Sequence, residues 1–139
     1  MVDKIITYEI QPFEEFYNFI LVAGDSYNDS HGFIEGELAT WEAYKQLSNE
    51  FKAIKVWASE VDLNAKNIGN ALNGGAGFAY FCGHGNPMSW STHEPYNFDE
   101  WEDGYQIWDM PFLKNGYKLP IVVIGGCHNS QFNVSIFNS

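Results

Sequence analysis

A chain of 139 residues is the size of one domain around one core, and at 45% hydrophobic and 17% aromatic residues it is too apolar to stay disordered. A formal net charge of -11, with seven lysines and no arginine, makes nucleic acid a poor partner and gives a surface that favours cationic ligands or serves solubility. No apolar run reaches the roughly 18 residues of a membrane span, and no signal peptide is visible. Two cysteines, Cys82 and Cys127, are too few for a disulfide framework and lack C-x-x-C spacing; a single bridge between them and the redox compartment stay open.

In chain order, KIITYEI (4–10) alternates and predicts a short strand. YNFILVAGD (17–25) is a continuous apolar run, as in a strand buried on both faces, and SYNDSHG (26–32) is a polar loop. From Ile34 the period changes. Ile34, Leu38, Trp41, Ala43, Tyr44, Leu47 and Phe51 fall near helical spacing and predict an amphipathic helix. AIKVWAS (53–59) is the second core strand. DLNAKNIGNALNGG (62–75) is a helix, with Asp62 or Asn64 as its cap and Gly74 and Gly75 as its stop. GFAYFCG (77–83) is the third core strand. A polar and aromatic excursion runs from Asn86 to about Gly104, residues 105–115 read as a broken helix closed by Gly116, and LPIVVIGG (119–126) is the fourth core strand.

Strands alternating with helices, with the strands apolar throughout, predict an α/β fold with a mostly parallel sheet and helices on both faces. Ligands of such sheets bind outside the carboxyl ends of the strands. Three strands end there in unusual chemistry: Gly24-Asp25, Gly83-His84-Gly85 and Gly126-Cys127. A cysteine thiolate is a good nucleophile, and a nearby histidine lowers the thiol pKa and later protonates the leaving group. An acyl-transfer site also needs donors for the developing oxyanion, which the amides of Gly85 and Cys127 can provide at strand ends. If their strands are neighbours, His84 and Cys127 emerge about 5 Å apart in the sheet. Asp25 is the candidate carboxylate to orient His84, because the first strand lies beside the third in a 2-1-3-4 order; a loop-capping role explains it equally well. Glu35 and Glu37 are further carboxylates, adequately explained by a helix first turn. Gly126 leaves room for a substrate backbone, and Trp90, six residues past His84, is placed to wall a pocket.

Each residue also has a plainer role. A histidine-glycine pair is more often a turn, and a cysteine after an apolar strand is more often a small buried hydrophobe, which is how Cys82 reads. His128 is expected to face a loop. His31, His84, His93 and His128 with the cysteines lack the spacing of zinc ligands, so no metal site is assigned.

The pair GFAYFCGHGNPMSWST and LPIVVIGGCHNSQF resembles the gingipain-type cysteine peptidases, peptidase family C25, in the clan that includes caspases and legumain. The clan pattern is an apolar block ending in His-Gly, then an apolar block ending in Ala-Cys or Gly-Cys. Trp90, Thr92, the Leu119-Pro120 opening and Phe132 add to the likeness, as does ILVAGDSYND, and it runs from about Phe19 to Phe132. One departure is Ser130, where the family commonly carries glycine. The resemblance implies a caspase-like three-layer sandwich with strand order 2-1-3-4, and His84 and Cys127 as a catalytic dyad. It also implies an oxyanion site at Gly85 and Cys127, a polypeptide substrate, and an extracellular or cell-surface location. No cofactor is required. Gingipains bind calcium, but no ligand set matches residue by residue. Residues 1–139 are expected to be one catalytic core, a piece of a longer chain, with an exposed sheet edge available for self-association. Three activities fit: an endopeptidase, a transpeptidase on the same dyad, and a non-catalytic binding or structural module.

Overall fold

The computed structural model describes residues 2–29, 32–131 and 133–134. The chain opens with α1 (Val2–Ile10) and a 3₁₀ turn (Glu14–Tyr17), then runs β1 (Asn18–Ala23), α2 (Glu35–Tyr44), β2 (Lys52–Trp57), α3 (Ala65–Gly74) and β3 (Phe78–Cys82). Five short strands follow: β4 (His84–Asn86), β5 (Ser89–Ser91), β6 (His93–Glu94), β7 (Asn97–Trp101) and β8 (Tyr105–Gln106). A second 3₁₀ turn (Met110–Phe112) leads to β9 (Ile121–Gly125).

The four apolar segments pair in parallel in the order β2-β1-β3-β9, which is the 2-1-3-4 order predicted. Side chains alternate across the sheet. Ile20, Val22, Val56, Ala79 and Phe81 face α3, where they pack with Ile68 and Leu72 into the main core. Burying each large side chain of this kind contributes roughly 1.5–3 kcal/mol. On the opposite face, α2 lies across β1 and β3. Its first turn comes so close that a Cβ on Gly36 would meet the carbonyl oxygens of Gly24 and Cys82 and the Ala23 side chain. The result is an α/β sandwich of the caspase-like kind. Of the two predicted caps, Asp62 and Asn64, α3 uses Asn64, whose side chain accepts from the Asn67 amide at 3.0 Å; the helix ends at Gly74, with Gly75 at φ +86° following it.

Four local expectations are corrected. KIITYEI is helical, not a strand. Over seven residues its alternation also places Ile6 and Ile10 one helical turn apart, and such short apolar runs do not distinguish the two periods. Tyr8 anchors α1, donating to the Gly77 carbonyl at 3.1 Å and packing on Phe13 and Phe16. The helix expected over 34–51 ends at Tyr44, because the chain turns back there: the Tyr44 hydroxyl donates to the Phe51 carbonyl at 2.9 Å, and Phe51 joins Phe16, Tyr17 and Phe78 at the amino end of the sheet. The face that α2 buries is Gly36, Glu37 and Thr40, while Leu38 is exposed. The excursion after Asn86 is not a loop: β4, β5 and β8 make a small antiparallel sheet, and β6 pairs with β7. Residues 105–115 hold no α-helix, only β8 and a 3₁₀ turn.

Glu37 fastens α2 to the end of β2, accepting from the Ser59 amide at 2.9 Å and the Ser59 hydroxyl at 2.7 Å. Burial pushes its carboxyl above the ordinary value of 4.5, against the opposing pull of those two bonds. A raised folded pKa means that the folded state holds the proton more tightly. The stability this contributes is therefore complete below about pH 4.5 and is lost as pH rises through the folded value. Glu37→Gln, which keeps an acceptor for the Ser59 amide, is expected to be less pH-sensitive than the wild type in urea denaturation from about pH 4 to 8. Parallel pH profiles for the two proteins would overturn this assignment.

Candidate active site

The parallel register leaves Ala23, Cys82 and Gly125 side by side at the carboxyl edge. The Gly83 amide adds one more rung, donating to the Gly125 carbonyl at 3.0 Å. Beyond that rung the chain diverges. His84 and Gly85 enter the β4–β5 hairpin, while Gly126 leads into a turn over residues 127–130. The two segments stay in contact: a Cβ on Gly126 would lie 3.3 Å from both the Gly85 nitrogen and the His84 carbonyl carbon.

His84 is half-buried, and its Nε2 lies 3.0 Å from the Ser26 carbonyl oxygen. A carbonyl can only accept, so this bond requires the proton on Nε2 and leaves Nδ1 as the free nitrogen of the neutral ring. Aromatic rings close one side of it. Trp101, His93 and Phe98 stand nearly perpendicular to it, at centroid distances of 5.3, 5.5 and 6.5 Å. His93 is buried, stacked on Phe98 and tilted against Trp101, and burial holds its imidazole below the usual range.

Asp25 is buried beside this group but directs its carboxylate elsewhere. Its Oδ2 accepts from the Tyr96 amide at 2.9 Å, and its main chain exchanges hydrogen bonds with His93, at 3.2 and 3.1 Å. The hydroxyl of Thr92 donates to its carbonyl at 2.6 Å. The partner on the His84 ring is thus the main-chain carbonyl of the next residue, Ser26, not the Asp25 side chain proposed from strand order. Glu35 adjoins Asp25, and its carboxyl is pushed up by burial first and by the neighbouring carboxyl second.

Cys127 is exposed and Cys82 half-buried, both as free thiols, and burial pushes the Cys82 thiol up. Trp90 walls a pocket, but not on the side of His84. It pairs with Gly85 across the hairpin, so it points to the opposite face from His84. There it is 3% exposed, edge-on to Phe81 at 5.3 Å. It walls an apolar groove of about 570 Å³ with Phe81, Val122 and Ile124, on the α3 side of the sheet. Sequence reasoning missed two residues here. Ser26 acts through its main chain, which no side-chain pattern reveals. Asn129 reaches across Gly85 and Gly126 to the 86–89 turn, donating from Nδ2 to the Asn86 and Ser89 carbonyls at 3.0 Å each. Among the described residues no three His, Cys, Asp or Glu side chains gather as a metal site. His31 and Phe132 lie outside the described residues.

The four-stranded parallel sheet between α2 and α3 is consistent with a caspase-like sandwich. The family model for peptidase family C25 matches residues 1–138, and the chain belongs to that family. Membership implies cysteine-peptidase activity in general and makes the chain gingipain-like. No curated protein and no solved structure matches it.

The Ser26 contact has a spectroscopic consequence. At alkaline pH, where imidazole is neutral, His84 is expected to show the ¹⁵N shift pattern of the Nε2–H tautomer in long-range ¹H–¹⁵N spectra. A pattern with the proton on Nδ1 would show that the carbonyl does not hold this ring.

Proposed function

We propose that this chain is a cysteine endopeptidase in which Cys127 is the nucleophile and His84 the acid–base partner. The observation that carries the proposal is the β3–β9 pairing, in which the Cys82–Gly125 rung and the Gly83–Gly125 bond bring His84-Gly85 and Gly126-Cys127 out side by side. Up to that rung the strands lie about 5 Å apart, and beyond it a Cβ on Gly126 would lie 3.3 Å from the Gly85 nitrogen, so the two segments stay within a span that one substrate carbonyl can bridge.

The chemistry follows from which nitrogen is free. With Nε2 engaged by Ser26, Nδ1 of His84 takes the thiol proton as the Cys127 sulfur attacks the carbonyl carbon of the scissile peptide bond. The carbonyl π electrons move to oxygen, and the amides of Gly85 and Cys127 donate to that oxyanion. Collapse of the tetrahedral intermediate breaks the C–N bond, and His84 returns the proton to the leaving amine. A water molecule, deprotonated by the same imidazole, then attacks the thioester and releases the acid with Cys127 restored. Access favours Cys127 over Cys82, which lies within β3 and is half-buried.

A peptidyl chloromethyl ketone is expected to alkylate Cys127 and spare Cys82, as read by peptide mapping in a mass spectrometer. His84→Ala is expected to slow that labelling and to lower peptide turnover by about a hundredfold or more. Equal labelling of both thiols, or labelling of Cys127 indifferent to His84, would overturn the proposal.

A further inference from the structure

We infer that Asn129 is a positioning residue that sets the separation between the Cys127 turn and His84; the inference rests on the dyad proposed above. Asn129 stands two residues after Cys127, and Asn86 two residues after His84. The Asn129 carboxamide joins these two arms, since its Nδ2 donates to both the Asn86 and the Ser89 carbonyl at 3.0 Å. Two carbonyl acceptors fix which end of the amide is nitrogen.

The arm it grips is itself braced. Asn86 Oδ1 accepts from the Met88 amide at 2.8 Å and the Ser89 amide at 3.0 Å, and Asn86 Nδ2 donates to the Ser89 hydroxyl at 2.7 Å. The clamp therefore pulls on a closed turn rather than on a loose loop. Its path also accounts for the glycines on either side, because a Cβ on Gly85 or on Gly126 would land on the Asn129 carboxamide. That carboxamide is held at a cost: its Oδ1 is buried and finds no donor among the described residues. On the other side, Cys127 is exposed, and β9 pairs with β3 alone among the described residues. Asn129 is thus a side-chain link between the nucleophile turn and the His84 hairpin.

The test uses the rate at which iodoacetamide alkylates Cys127, followed by peptide mapping so that Cys82 is counted separately. It compares wild type, Asn129→Asp and Asn129→Ala, each with and without His84→Ala. Asn129→Asp sets a carboxylate against two carbonyls; Asn129→Ala removes the clamp without adding charge, and serves if the first variant loses its near-ultraviolet circular dichroism. Each is expected to slow alkylation by about tenfold to a hundredfold, the scale of an ångström-sized misplacement, and His84→Ala is then expected to add almost nothing. A variant that labels at the wild-type rate would overturn the inference. So would a slower variant in which His84→Ala still has its full effect, since that is mere loss of structure. Wild-type labelling indifferent to His84 would overturn the dyad and the Asn129 assignment together, whereas His84-dependent wild type with wild-type behaviour at Asn129→Asp would overturn the assignment alone.

Discussion

The carboxyl edge of the sheet depends on the register in which Ala23, Cys82 and Gly125 lie level with one another. A slip of one residue between β3 and β9 would shift Cys127 by about 3.3 Å along the strand and turn every side chain of β9 to the other face. Between β1 and β3 the register is locked by burial. Ile20 beside Ala79 and Val22 beside Phe81 project into the core under α3, and none of them fits a solvent-facing position. Between β3 and β9 the lock is the hydrogen-bond ladder with its extra Gly83–Gly125 rung, because Ile121 through Ile124 are exposed.

A second constraint acts from the side of His84. Through Asp25 and His93 the excursion after β5 grips the segment that follows β1, and the Thr92 hydroxyl reinforces that grip. The same contacts hold Ser26 where its carbonyl meets the imidazole. Glu102 ties the far end of the excursion down by accepting from the Leu63 amide at 2.9 Å, just before α3. The short strands between β4 and β8 thus fix main-chain atoms of the first loop in relation to the His84 ring at the start of β4, which explains why so many polar and aromatic residues lie between the two apolar blocks.

Much of this was readable in the sequence wherever one physical term dominated. Continuous apolar runs marked β1, β3 and β9, and with them the strand order, although only β1 is buried along its length, β3 is buried at alternate residues and β9 is exposed. Asn64 and Gly75 announced the ends of α3 because caps are local chemistry. What was not readable depends on contacts between distant parts of the chain. The strands from β4 to β8, two to five residues long, are too short to show a period. Trp90 lay at a suggestive distance from His84 along the chain, but cross-strand pairing with Gly85 sends it to the core side. Leu38 follows the helical stripe, yet α2 approaches the strand ends so closely that Gly36 and Thr40 take the inner face. Ser26 works through its backbone, and Asn129 through two carbonyls some forty residues away.

The one-sided attachment of β9 has a consequence for how activity and folding are coupled. Cooperative units of a protein open at different free energies, and a strand that among the described residues has one ladder and exposed side chains on both faces lies at the low end of that range. Lifting β9 from β3 disturbs little of the α3-side core, so the amides of β9 lose hydrogen-exchange protection sooner than those of β1. The proposed nucleophile is thereby placed on the foldon that frays first. On the proposed assignment, mild denaturant would silence the site while the global unfolding transition is still distant, and Cys127 reactivity would gauge this local equilibrium rather than overall stability.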